Sequence, residues 1–208
     1  MPSLSDRHIL ARGSNSAIGL ATAASFSDRV LAVMRLATLA LMLSGTLASA
    51  FAAATELVQP NSLIVDGSLP KAQVDTQILA ARRYATFWST GDEVLARAAL
   101  AHDFTARTLP AGRPQGLAGP LAASTLMHAA IPDIRCEIEQ MIVAGDRVVV
   151  HLHFRGHFTG RFKQTQGQGQ AIDFVATDIY RIANGRIADN WHIEDNLTLM
   201  QQLDLVAK

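Results

Sequence analysis

The stretch from Phe174 to Leu203, FVATDIYRIANGRIADNWHIEDNLTLMQQL, constrains the chain more tightly than any other. Its period of two on either side of Ala183-Asn184-Gly185 predicts two β-strands joined by a tight turn. A short amphipathic tail carrying Leu197, Leu199, Met200 and Leu203 follows. The form of the turn decides which polar side chains meet. A two-residue type I′ loop at Asn184-Gly185 sets Thr177 opposite His192 and turns Asp178 to the other face. A type I turn with a bulge at Gly185 instead pairs Ile182 with Arg186, Asp178 with Asn190 and Ala176 with His192. The bulged register is favoured, because it collects Val175, Ile179, Ile187, Trp191 and Ile193 as one apolar stripe. Asp178, Tyr180, Asn190 and His192 then share the opposite face, beside Phe174.

The chain does not open on this domain. Arg29 and Arg35 precede an uncharged run, Leu36 to Ala54, that ends in small residues with A-x-A patterns, the layout of a secretory signal peptide. Residues 34–54 are therefore expected to be the signal, with Met34 as a natural start and cleavage near Ala50 to Ala54. Residues 1–33 have no period of their own and read as an over-extended start or a long n-region. An uncleaved anchor is the competing reading; the run is rich in Ala and Ser, and a stable membrane anchor is not expected. Export to the periplasm or the medium is the expectation for localisation.

Without residues 1–54 the 18 basic and 18 acidic side chains become 14 and 16, and no basic cluster remains. A nucleic-acid partner is therefore not expected. Cys136 is the single cysteine and alternates with Ile134 and Ile138, which predicts a buried, inert thiol and no internal disulfide.

Residues 55–74, with Pro60, Gly67 and Pro70, read as a linker or an arm lying on the domain, and 75–208 as the domain itself. Asp75 is expected to cap a helix whose stripe is Ile78, Ala81, Ala85 and Trp88 and which stops at Gly91. Thr90 to Glu93 matches a capping box for a short second helix, followed by a loop at His102 to Phe104. Thr108 to Gly119 is an irregular, Pro- and Gly-rich rim or lid. A third helix is expected from near Pro120 to Ala130. From Ile134 the period becomes two: Ile134 to Val143, a turn, Arg147 to Thr159, and the hairpin. Gly156 and Gly160 suggest a bend or bulge in the long strand. The order is α+β: a curved antiparallel sheet wrapped around about three N-terminal helices as a cone-shaped half-barrel, with a pocket between.

Several segments in this order and spacing resemble one family. They are FWSTGD at Phe87, IPDIR at Ile131, AGDRVVV at Ala144, GHFTGRF at Gly156, DIYRIANGRI at Asp178 and WHIEDNLTLMQQL at Trp191. From Ile78 to Leu203 the chain resembles the SnoaL-like polyketide and ester cyclases, in the cone-shaped superfamily named for nuclear transport factor two. The resemblance implies an enzyme without cofactor or metal that removes a proton next to a carbonyl, so that the enolate closes a ring. Those cyclases carry an acidic residue for proton transfer on the last strand, where this chain has His192, and a cavity histidine where it has Asp178. Trp88 stands in place of a tyrosine, and Ala123 lies near the place of an asparagine.

Imidazole ordinarily titrates near pH 6.5, so His192 is the candidate general base or acid, with Asp178 to orient it as a diagonal neighbour. The expected substrate contacts are Asn190, Tyr180, Trp88 and Phe174, on a small apolar carbonyl or ester ligand, with a ring that simply fills the core as the equal reading of Tyr180. His151, His153 and His157 alternate on one strand face, but nothing nearby in sequence completes a metal ligand set. Glu194 and Asp195 read as helix-cap carboxylates. Two other functions fit the same sequence. One is a non-catalytic exported module holding a hydrophobic ligand; the other is an interaction domain working through the convex sheet face, where Trp191 suggests a homodimer.

Overall fold

Alternating apolar residues from Cys136 onward build a sheet whose inner face covers the helices contributed by the first half of the domain. The computed structural model describes residues 56–207. The expected signal peptide at 34–54 and residues 1–33 lie outside the described residues. The elements are β1 (Pro60–Val65), α1 (Lys71–Thr90), α2 (Glu93–Ala99), β2 (Leu100–Ala106), α3 (Ala118–Ala130), β3 (Arg135–Ala144), β4 (Arg147–Phe158), β5 (Arg161–Phe162), β6 (Thr165–Gln166), β7 (Gln170–Ala183), β8 (Arg186–Glu194) and α4 (Asn196–Gln202). Six strands form one curved sheet in the order β1-β3-β4-β7-β8-β2, and β5 and β6 make a small separate ribbon. Among the described residues no helix is long and apolar enough to cross a membrane.

The four central strands are antiparallel, as the sequence predicts, but both edges are parallel. β1 runs parallel to β3, and β2 parallel to β8. The segment expected to be a linker or arm thus supplies an edge strand and the first turn of α1, which begins at Lys71 and not at Asp75. Asp75 pairs with Lys71 one turn away instead of capping the helix. Gly91 does end α1, with φ 72° and its N–H donating to the Phe87 carbonyl. Asp92, not Thr90, caps α2 by accepting from the Val94 N–H. His102 to Phe104, expected as a loop, lies within β2.

The strand periods place the core. Val148, Val150, Leu152 and Phe154 are buried on the concave side of β4, while His151, His153 and Arg155 take the outer side. Cys136 is buried beside Ile138, and burial pushes its thiol well above the ordinary range, so it is unreactive. The glycines of β4 mark no bulge: pairing with β7 continues unshifted through Gly156 and Ile172. They make room for the end of α3. A Cβ on Gly156 would come within 2.5 Å of Ile131 Cγ2, and one on Gly160, just past the strand, within 1.9 Å of the Ala129 carbonyl oxygen.

Candidate active site

Asn184 and Gly185 have φ of 51° and 71°, the left-handed pair that a type I′ turn needs, and Ala183 pairs with Arg186 across it. The expected bulge at Gly185 is therefore absent. An extra residue enters the ladder three positions later. Ile182 pairs with Ile187 but Arg181 with Asp189, which leaves Ala188 unpaired. From that bulge on, Tyr180 faces Asn190 and Asp178 faces His192. The expected sharing of one face by these four side chains holds, through different pairings and a different bulge. The same shift turns Ile187 into the core, away from the outer stripe to which the sequence assigned it.

Asp178 is 2% exposed and gathers three donors. Tyr180 Oη donates to Oδ2 at 2.9 Å, Asn190 Nδ2 to Oδ1 at 3.0 Å, and His192 Nδ1 to Oδ1 at 2.8 Å. Held by this many donors, the carboxyl group leaves the imidazole only one orientation. Asn190 must direct its NH2 at that carboxylate, and its buried Oδ1 is left without a partner.

His192 Nε2 points the other way, 3.4 Å from Glu194 Oε2. Burial pulls the imidazole pKa down, but the hydrogen bonds and charges of Asp178 and Glu194 outweigh it and raise the value to about 10. His192 is consequently an imidazolium at neutral pH. In that state Nε2 carries a proton that it can donate. Thr108 clamps the backbone of this residue: its hydroxyl accepts from His192 N–H and donates to His192 C=O, both at 2.8 Å.

These groups line a cavity of about 160 Å³ between the concave sheet face and α1, α3 and α4. Its walls are apolar, with Phe104, Leu152, Phe154, Phe174, Leu199 and Met200. Trp88 and Phe174 reach the cavity as the sequence predicts. Tyr180 does not: of its two readings from the sequence, substrate contact or a ring that fills the core, the structure has the ring fully buried beneath the site, where its hydroxyl braces Asp178. The irregular segment after β2 supplies Thr108, Leu109, Pro110 and Arg113 to the rim, in keeping with the expected lid.

Two acidic residues escaped the sequence reading. Glu194 belongs to β8 and lines the cavity, not the cap of α4, a role filled by Asp195 accepting from Thr198 N–H. Its spacing of two from His192 was the available signal. Asp189 is 1% exposed on the outer face of β8, where Arg107 Nε and Arg181 Nε hold it at 2.5 and 2.6 Å. Burial alone would raise its pKa, but the two guanidiniums hold the carboxyl below the usual range. No sequence signal distinguishes it, because its two partners lie on two other segments, one after β2 and one on β7.

A curved, unclosed sheet around helices, with one apolar cavity and a carboxylate–imidazolium–carboxylate row on its floor, defines a cone-shaped protein of the nuclear transport factor two type. Residues 78–203 match the model of the SnoaL-like polyketide cyclases, and the chain belongs to that family. A candidate polyketide cyclase from Bacillus cereus ATCC 10987 is 38% identical, with TM-score 0.67, over 74% of this chain and 97% of its own. TsrD from Streptomyces laurentii is 22% identical, with TM-score 0.57, over 66% of this chain and 99% of its own. IdmH from Streptomyces antibioticus, a candidate polyketide cyclase, is 24% identical, with TM-score 0.54, over 64% of this chain and 98% of its own. The last two share the fold. No curated protein matches the chain.

Proposed function

We propose that the chain is an acid–base enzyme of the cyclase or isomerase type, acting next to the carbonyl of a small apolar ketone or ester. The observation that carries this reading is His192, held as a cation by Asp178 on the floor of an apolar cavity. An imidazolium N–H aimed into a low-dielectric pocket stabilises the negative charge that grows on a carbonyl oxygen as its neighbouring carbon loses a proton. Asp178 fixes the orientation of the ring, and Tyr180 and Asn190 fix Asp178.

Cavity size narrows the substrate. An apolar cavity of about 150 Å³ accommodates a benzene-sized guest, and this one measures about 160 Å³. A single ring, or a chain about to close into one, matches the space the cavity offers. Proton exchange at the α-carbon of cyclohexanone in D2O, followed by NMR, tests the reading. Wild type is expected to accelerate exchange, and His192→Ala to lose the acceleration while the cavity still binds the ketone. Equal exchange in both proteins would favour the hydrophobic-ligand module.

We also propose that the domain is exported after cleavage near Ala50 to Ala54, and that its convex face pairs two copies. Exposed Ile142, Ile179 and Ile193 support the pairing, together with a shallow apolar depression lined by Ile179, Trp191 and Ile193. N-terminal sequencing of the mature protein tests the first proposal. Sedimentation of Ile193→Asp against wild type tests the second, with a shift to monomer expected.

A further inference from the structure

An enolising acid needs a base at the same carbon, and four observations single one out. Asp178 is buried and already accepts three hydrogen bonds, so it has little capacity to take a proton from carbon. Glu194 lines the cavity with its side chain 23% exposed, and its one polar contact among the described residues is the long 3.4 Å approach to His192 Nε2. Glu194 and His192 are two residues apart on β8, so both project from the same side of the strand at the cavity. Asp178 and Glu194 are the only carboxylates that line the cavity among the described residues.

We propose that Glu194 is the catalytic base, accepting the proton that the substrate carbon loses while His192 holds the carbonyl oxygen. The inference rests on the acid–base reading above. The substrate carbonyl oxygen takes the His192 Nε2–H in place of the Glu194 carboxylate, which frees Glu194 Oε2 beside the α-carbon. The C–H bond breaks, the proton passes to Glu194, and its electron pair forms the C=C bond of an enolate whose oxygen stays hydrogen-bonded to His192. In ring closure the enolate carbon attacks a second carbonyl of the same molecule, and the new alkoxide recovers the proton from Glu194. In isomerisation Glu194 returns it to another carbon. Either way the protein ends as it began.

The division of labour also explains why His192 is held so firmly as a cation: the proton moves onto an oxygen base and the imidazolium supplies only the charge. Loss of a positioned general base ordinarily costs about 10²–10⁴-fold in rate.

The test is cyclohexanone α-proton exchange with the full chain. Glu194→Gln preserves shape and should cut the exchange rate on the order of 100-fold or more while leaving KM within a few-fold. Glu194→Ala should be equally slow, and added formate should restore part of its rate, which a purely structural carboxylate would not show. Wild-type exchange in Glu194→Gln alongside an inactive His192→Ala overturns the role of Glu194 and leaves the acid–base reading standing. Failure of formate to rescue Glu194→Ala counts against Glu194 in the same way. Wild type that exchanges no faster than buffer overturns both.

Discussion

His192 sits directly across the ladder from Asp178, with Nδ1 2.8 Å from Oδ1, because Ala188 adds one residue to β8 after the turn. Were Ala188 paired in the ladder instead of bulged from it, the type I′ turn would carry His192 to a position opposite Thr177, on the outer side of the sheet.

The charge on His192 should depend on Asp178. In Asp178→Asn the imidazole should titrate well below about 10, moving toward the ordinary value near 6.5. An NMR titration of the His192 ring protons checks this. Because the folded-state pKa lies above the unfolded one, the ion pair contributes its full stability below about pH 6.5. That contribution declines as pH rises, and is gone above about 10. Thermal melts should therefore lose stability between pH 7 and 10 in wild type, and much less in Asp178→Asn. Activity carried by the imidazolium should fall over the alkaline end of the same range.

Tyr180→Phe removes one of the three donors from a buried carboxylate. The unsatisfied oxygen should cost about 1–3 kcal/mol of folding stability. Because Tyr180 does not reach the cavity, KM should change little; denaturant melts and steady-state kinetics on the same variant separate the two effects.

Asp189→Ala leaves Arg107 and Arg181 facing each other without their shared carboxylate. Both guanidiniums are partly exposed, so the loss should be below the range for a fully buried pair, about 1–3 kcal/mol. Arg107 also begins the segment that carries Thr108 to the His192 backbone. Hydrogen exchange at His192 N–H should therefore quicken more than at β3 or β4.

Gly160→Ala drives a methyl into the Ala129 carbonyl oxygen, a backbone atom that cannot move without shifting the end of α3. A loss of about 2 kcal/mol or more is expected. Gly145→Ala, in open space at a positive φ of 57°, should cost less, through strain alone. Paired thermal melts compare them.

Much of this architecture can be read from residue order. The period of two from Ile134 onward, the helical stripe ending at Gly91 and the alternation of β4 all reflect local burial, and each appears where the sequence predicts it. The errors share one cause. β1 reads as a linker and His102 to Phe104 as a loop because both are edge strands whose pairing partners lie far along the chain. Asp75 reads as a cap because a cap is recognised by residue type, whereas the helix starts one turn earlier, directly after Pro70. Glu194 looked like a cap for the same reason.

The sequence by itself determined the α+β order, the hairpin, and the presence of an acid, a phenol, an amide and an imidazole on one pair of strands. Only the tertiary structure decided how they meet. A bulge at Ala188 costs little locally and has no marker in residue type, yet it shifts every later side chain of β8 by one place and so turns them to the other face. The ionisation of His192 was decided at the same level. It depends on the distances to Asp178 and Glu194 and on the cavity around them, and those exist only once the sheet has closed over the helices.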